Sequence, residues 1–282
     1  MTLMHTCFTV EITGKVAHVQ MSRPDELNTM TAAFWEEWPA IVRSLSARGD
    51  VRVIVLSSTG RHFSAGMDLS VFTSGALSPA GEPGRVNMNR VLQVRHLQDS
   101  ISSPERARVA VLAAIQGGCI GGAVDMVTAC DMRYASSDAY FVVHETNIGM
   151  TADVGTLQRL PGIVGDGVAR EMVLTGRPMS ADRACEVGLV NAVFADHDAL
   201  IAGVLEIAHE IAGKSPLVTW GNKESLIYAR DHGVADSLQQ IATWQSGALQ
   251  PGDLTESLAA QAQKRPPVYA DLDPEPGALP GA

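Results

Sequence analysis

The spacing of apolar and polar residues divides the chain into a first part where strands and helices alternate and a second part that is helical. FTVEI and VAHVQM, within residues 8–21, alternate or cluster β-branched residues about a Thr13-Gly14 turn, which predicts a hairpin. MSRPDELN breaks the pattern, and Thr31 is placed to cap an amphipathic helix through about Ser46. VRVIVLSS (51–58) is an unbroken apolar run of the kind found in strands covered on both faces. TGRHFSAGMDL then reads as a glycine-bounded loop turning toward a helix, and the Gly-, Pro- and Ser-rich stretch 72–88 as a mobile loop. A helix from about Val86 to Ser102 is followed by the strand VAVLAAI (109–115), the glycine cluster GGCIGG (117–122), a helical pattern from Ala123 to about Cys130, and extended stretches at MRYA and AYFVV. Strand, glycine turn and helix thus occur twice, at 51–70 and 109–130, as a degenerate repeat. From about Asp196 helix follows helix, at 197–212, 216–230, 234–248 and 253–265, before a proline-rich tail expected to fray. The expected organisation is an α/β core over 1–195, an all-helical region over 196–265 that supplies a subunit interface, and a flexible tail over 266–282.

Composition narrows the partners. A chain of 282 residues that is 46% hydrophobic can bury a substantial core. The net charge of −10 and the lack of a Lys/Arg cluster argue against nucleic acid or an anionic membrane as partner. No segment approaches the roughly 20 apolar residues that span a bilayer, and the start has no secretory pattern. Cys7, Cys119, Cys130 and Cys185 are isolated, which suits reduced thiols and a cytoplasmic location. Few lysines among many arginines, with abundant alanine, fit a GC-rich bacterial genome.

The candidate chemistry lies in three carboxylates set in apolar or glycine-lined stretches: Asp125 in GGAVDMVTAC, Glu145 after AYFVVH, and Asp153 closing NIGMTAD. An ionised carboxylate is costly to bury unless it is paired or used, so each needs an explanation. The structural alternatives are an arginine partner for Asp125, either Arg133 or Arg159, and a helix N-cap role for Asp153. The two glycine loops beside the acids could aim backbone N–H groups at one point, as an oxyanion hole does, or could be tight turns that need glycine only for its backbone freedom. Neither loop is a nucleotide phosphate motif. Ser64 in HFSAG lacks the GxSxG pattern, and His144-Glu145 lacks the second histidine of a zinc helix because position 148 is Ile.

MSRPDELNTM, RHFSAGMDL, AAIQGGCIGGAVDMVTACDMRYAS, FVVHETNIGMTADVGTLQRLPGIVG and TGRPMSADRACEVGLVNAVF occur in that order, and together they resemble the enoyl-CoA hydratase/isomerase (crotonase) superfamily over about residues 8–265. The resemblance implies an α/β fold, a crotonase-like spiral of ββα units with an all-helical C-terminal region, in a trimer or dimer of trimers. It implies an acyl-CoA thioester substrate whose carbonyl oxygen is held by the N–H groups of Met67 and Gly122, with Ala65, Gly66, Asp68, Leu69 and Gly121 lining the substrate. No metal and no further cofactor are implied, coenzyme A being part of the substrate.

Within the superfamily the acids choose the reaction. Two acids, at the positions of Asp125 and Glu145, suit a hydratase. The third, Asp153, eight residues after Glu145, resembles the Δ3,5-Δ2,4-dienoyl-CoA isomerases over about 125–161, which implies proton transfer at C2 by Glu145 and at C6 by Asp153, with Asp125 orienting Glu145. The roles of Glu145 and Asp153 are exchangeable at this point. Glu26-Leu27 stand where the family often has a basic residue for the CoA phosphates, so Lys264 and Arg265 are the substitutes, across a subunit boundary. The implied activity is isomerisation of 3,5-dienoyl-CoA in the breakdown of unsaturated acyl chains. Its rivals are an enoyl-CoA hydratase and a non-catalytic acyl-CoA- or RNA-binding relative.

Overall fold

The computed structural model describes residues 2–68, 70–71 and 81–276. Among them a seven-stranded sheet runs in the order β1-β2-β3-β4-β5-β7-β10: β1 (Thr2–Met4), β2 (Phe8–Thr13), β3 (Val16–Met21), β4 (Val53–Ser58), β5 (Ala110–Ile115), β7 (Met132–Ser136) and β10 (Ala192–Phe194). The hairpin β2–β3 is present, but its turn is Gly14-Lys15 rather than Thr13-Gly14, with Gly14 at φ +60. From β3 onward the pairs are parallel. A second sheet joins β6 (Gly118–Ile120) parallel to β8 (Tyr140–Val142), which pairs antiparallel with β9 (Met179–Ser180). The bridge Ser64↔Cys119 extends this small sheet into the first glycine loop.

β4 shows why residues 53–56 are apolar without a break. Side chains alternate across a strand, so Ile54 and Leu56 enter the main core while Val53 and Val55 enter a second core on the other face. That second face is covered by α8 (His197–Ala212) through Leu200, Val204 and Ala208. The first of the C-terminal helices therefore completes the sheet rather than standing apart from it.

The remaining helices are α1 (Ala32–Ala47), α2 (Pro83–Ile101), α3 (Ser103–Arg106), α4 (Gly122–Thr128), α5 (Thr156–Val164), α6 (Asp166–Thr175), α7 (Ala181–Glu186), α9 (Pro216–Asp231), α10 (Val234–Ala248) and α11 (Pro251–Gln263). Thr31 occupies the N-cap position of α1, yet its side chain makes no capping bond and lies 3.5 Å from the Cys7 thiol. Of the expected loop at 72–88, residues 72–80 lie outside the described residues, and 83–88 are already helix because proline suits the first helical position. Among the described residues no helix is long and apolar enough to cross a membrane.

Residues 266–276, expected to fray, are docked. Arg52, 8% exposed, donates to the carbonyls of Ala212 and Tyr269 and pairs with Asp271 at 2.9 Å, while Lys15 pairs with the other Asp271 oxygen. Glu275 donates its N–H to the Ala47 carbonyl and pairs with Arg108. Asp271→Ala is expected to cost about 1–3 kcal/mol, since it leaves a buried guanidinium short of an anionic acceptor. Lys15→Ala, which breaks a surface pair, should cost under about 1 kcal/mol. Urea denaturation of the two variants checks the order.

Candidate active site

The first glycine loop is built around Asn28, 3% exposed and at φ 51. Its amide donates to the carbonyls of Thr59 (2.8 Å) and His62 (3.1 Å), its side-chain oxygen accepts from Arg23 N–H, and its carbonyl accepts from Ser64 Oγ at 2.8 Å. Ser64 Oγ in turn accepts the Gly66 N–H at 3.1 Å. Ser64 thus folds the loop and is no nucleophile. Met30 N–H reaches the Gly66 carbonyl and Asp68 N–H reaches the Met30 carbonyl, which straps the loop to the segment before α1.

The second loop turns at Gly121, φ 57, where α4 begins. A Cβ at Gly66 would fall 2.6 Å from the Ile120 carbonyl and 3.5 Å from the Gly122 nitrogen, so the two loops touch through backbone and only glycine fits. Among the described residues neither the Met67 nor the Gly122 N–H meets a protein acceptor. His62 Nδ1 accepts the Gly118 N–H at 2.9 Å, which adds a further tie between the loops.

Asp125 lies on α4 and is completely buried, with Oδ1 accepting the Thr156 N–H at 2.5 Å. Neither expected arginine pairs with it. Arg159 is held by Glu105 and Ser102, and Arg133 by the carbonyls of Leu189 and Cys130. Burial, with a smaller contribution from Asp153, raises its pKa despite the Thr156 bonds.

Glu145 opens a 3₁₀ turn, Glu145–Ile148, after β8. Its Oε1 lies 3.2 Å from where a Gly121 Cβ would stand, so the carboxylate rests on the second loop. Burial, then the charge of Asp125, then that of Asp153 push its pKa up to about 7. Asp153 is exposed at its outer edge, although burial still raises its pKa. It is not an N-cap, that position before α5 being Gly155. Gln98 of α2 donates to the Asp153 carbonyl at 2.7 Å and fixes its backbone.

The other expected residues divide. Ala65 N–H is bonded to the Leu27 carbonyl. Asp68 is engaged by Thr29 and Ser70, which lower its pKa and give it a place in the loop rather than a free face. Leu69 lies outside the described residues. Lys264 ends α11 at φ 52, and Arg265 pairs with Glu256 of that helix. Among the described residues no group of three or more His, Cys, Asp or Glu could hold a metal ion. A cleft of about 520 Å³ beneath α9, lined by Ala129, Met132, Ile163, Ile211, Leu226 and Ile227 among others, contains none of the three acids. Thr156, Asn28 and Gln98 were not singled out by the sequence. Asn28 stands in a quoted motif, but nothing local marks its partners, and Thr156 has no signal beyond its place after a glycine.

Residues 11–272 match the family described as Enoyl-CoA hydratase/isomerase. The chain belongs to that family. It is 41% identical over 276 residues to a protein of Arabidopsis thaliana named Delta(3,5)-Delta(2,4)-dienoyl-CoA isomerase, peroxisomal, covering 95% of this chain and 99% of the relative. The mitochondrial protein of that name from Homo sapiens is 41% identical over 252 residues, 89% of this chain and 77% of the relative. A crystal structure of an enoyl-CoA hydratase from Bacillus anthracis superposes with a TM-score of 0.83 at 29% identity, covering 94% of this chain and 99% of that one. The fold is accordingly the crotonase fold that the motif order implied, mixed α/β with a mostly parallel sheet and C-terminal helices.

Proposed function

We propose that the protein isomerises 3,5-dienoyl-CoA to 2,4-dienoyl-CoA, with Glu145 and Asp153 as the proton-transfer pair. What supports this reading is the presence of the third acid, Asp153, beside Asp125 and Glu145, whose pKa values its charge helps to raise, in a chain 41% identical to a relative named as a dienoyl-CoA isomerase. A 1,5-proton shift removes a proton at C2 and returns one at C6, so it needs an acid and a base at opposite ends of a delocalised dienolate. C2 adjoins the thioester carbonyl. The acid beside the carbonyl's donors should therefore serve C2, and Glu145, resting on Gly121, is that acid. Asp153 then serves C6. The N–H groups of Met67 and Gly122, without a protein acceptor among the described residues, would take the negative charge that develops on the thioester oxygen, each worth on the order of 3 kcal/mol in the transition state.

Asp125 fits a supporting role better than a water-activating one. It has no exposed surface, and one oxygen is held by Thr156. That weighs against the hydratase reading, in which it would share a water with Glu145.

Ala65, Gly66 and Gly121 would line the acyl thioester. Lys264 remains the candidate for the CoA phosphates, and Arg265 only if its pair with Glu256 opens. Exposed Leu226, Val234, Leu238, Leu254 and Leu258 on α9 to α11 favour a homo-oligomer, for which the family resemblance implies a trimer or dimer of trimers. The relatives are named as peroxisomal and mitochondrial, so a cytoplasmic location draws no support from them. The test is purified protein with 3,5-dienoyl-CoA and, separately, with 2-enoyl-CoA. Appearance of the conjugated 2,4-dienoyl chromophore supports the reading, and a 3-hydroxyacyl thioester as the principal product overturns it.

A further inference from the structure

Three buried polar atoms around the acids make no hydrogen bond of full geometry, Asp125 Oδ2, Glu145 Oε2 and Thr156 Oγ1, and of these the Thr156 side chain already acts on Asp125, lowering its pKa. An ionised carboxylate offers only acceptors, so when both acids are charged the Thr156 hydroxyl holds the single hydrogen among the three. Thr156 is 1% exposed and already tied to Asp125 through its backbone N–H. The neighbouring cations have other partners. Arg159, on the same helix, is committed to Glu105, and Arg133 to carbonyls. Cys119 and Cys130 are buried and keep their protons. The charge of Asp153 acts on both acids with the same sign as their own, and His144 lies against Asn147 at 3.3 Å.

We propose that Thr156 is a positioning residue of this site, whose hydroxyl is the movable hydrogen-bond partner of Asp125 and through it sets when Glu145 holds its proton. The inference rests on the proposed role of Glu145 as a proton-transfer group. When Asp125 is ionised the hydroxyl donates to it; when Asp125 carries a proton, the carboxyl donates and the hydroxyl accepts. Either state of Asp125 is thereby satisfied. Thr156→Val keeps the β-branched shape and the backbone N–H but removes this partner, which penalises the ionised state of Asp125 most. The Asp125 pKa, already raised by burial, then rises further. With that neighbour less readily ionised, Glu145 releases its own proton at lower pH, because the charge of Asp125 is one of the causes that raise it.

The experiment is a carboxyl ¹³C NMR titration of ligand-free protein, with the Glu145 signal identified by its loss in Glu145→Gln. Thr156→Val should lower the Glu145 midpoint from about 7 by roughly half a unit to one unit. Thr156→Ser, which restores a hydroxyl, should titrate as wild type. Asp125→Asn should shift the midpoint in the same direction, and Thr156→Val should add nothing on that background. An unshifted midpoint in folded Thr156→Val overturns the proposal, as does an unshifted Asp125→Asn or a full further shift in the double variant. If Thr156→Val does not fold by circular dichroism, Thr156→Ala removes the same hydroxyl with less bulk, and the Asp125→Asn arm decides regardless. No substrate is present, so failure of the dienoyl-CoA assay and failure of this coupling are read separately.

Discussion

Asp153→Asn is expected to lower kcat for 3,5-dienoyl-CoA isomerisation by roughly 10²–10⁴-fold, the usual worth of a positioned acid or base. The substitution is close to isosteric and removes one titratable proton. The tie from Gln98 goes to the Asp153 carbonyl, and the carboxylate's bond is to its own backbone N–H, which the side-chain oxygen of asparagine can also accept. No cap is lost, because Gly155 holds that position. Stability should therefore change by no more than about 0.5 kcal/mol, and KM for the thioester should stay nearly constant, because Met67 and Gly122 are untouched. Steady-state kinetics with thermal denaturation check both halves. A fall of less than about tenfold would show that Asp153 is not the second proton-transfer group, whichever reaction the protein performs.

The elements that can be read from sequence are those whose burial is decided locally. β4 and β5 announce themselves because both faces of the sheet are covered, which makes residues 53–56 and 110–115 all apolar. The C-terminal helices are long enough for their period to show, and the expected spans differ from the observed ones by no more than two residues at their ends. The small sheet is different. β6, β8 and β9 are three, three and two residues long, too short for any period, and they exist because Gly121 N–H meets the Val142 carbonyl and Tyr140 N–H meets the Gly117 carbonyl from far along the chain. The tail fails for the opposite reason. Its polar, proline-rich composition signals disorder, yet its polar groups have fixed partners in Arg52, Arg108 and Lys15, more than 160 residues away in sequence.

At the site, the acids are visible because a carboxylate in an apolar stretch is improbable without a reason. What surrounds them is not. Asp125 and Thr156 are separated by 31 positions, and neither Arg133 nor Arg159 could be excluded as the partner of Asp125 until their own acceptors were known. Asn28 holds the first glycine loop through Thr59, His62 and Ser64 by contacts that span about 31 to 36 positions. Its left-handed backbone is a property of the folded loop.

Glu145→Gln is expected to abolish most activity while making the protein more stable above neutral pH. The loss should be roughly 10²–10⁴-fold in kcat for isomerisation, and a comparable loss for any hydration the protein performs, since both need an acid or base over C2. The stability gain follows from the same environment. Glu145 is pushed from its ordinary 4.5 to about 7 by burial and by Asp125 and Asp153. Between those values the folded protein keeps a proton that the unfolded chain has already released, so wild-type stability declines as pH rises from 4.5 to 7 and stays lower beyond it. Glutamine carries no such charge. The variant should match wild type near pH 4 and exceed it at pH 8 by up to about 3 kcal/mol, with solvent at the edge of the carboxylate reducing that figure. Urea denaturation at the two pH values measures it. Equal stability of the two proteins at pH 8 would mean that Glu145 ionises there without cost, and the acid could not then be one whose burial and charged neighbours poise it for proton transfer near neutrality.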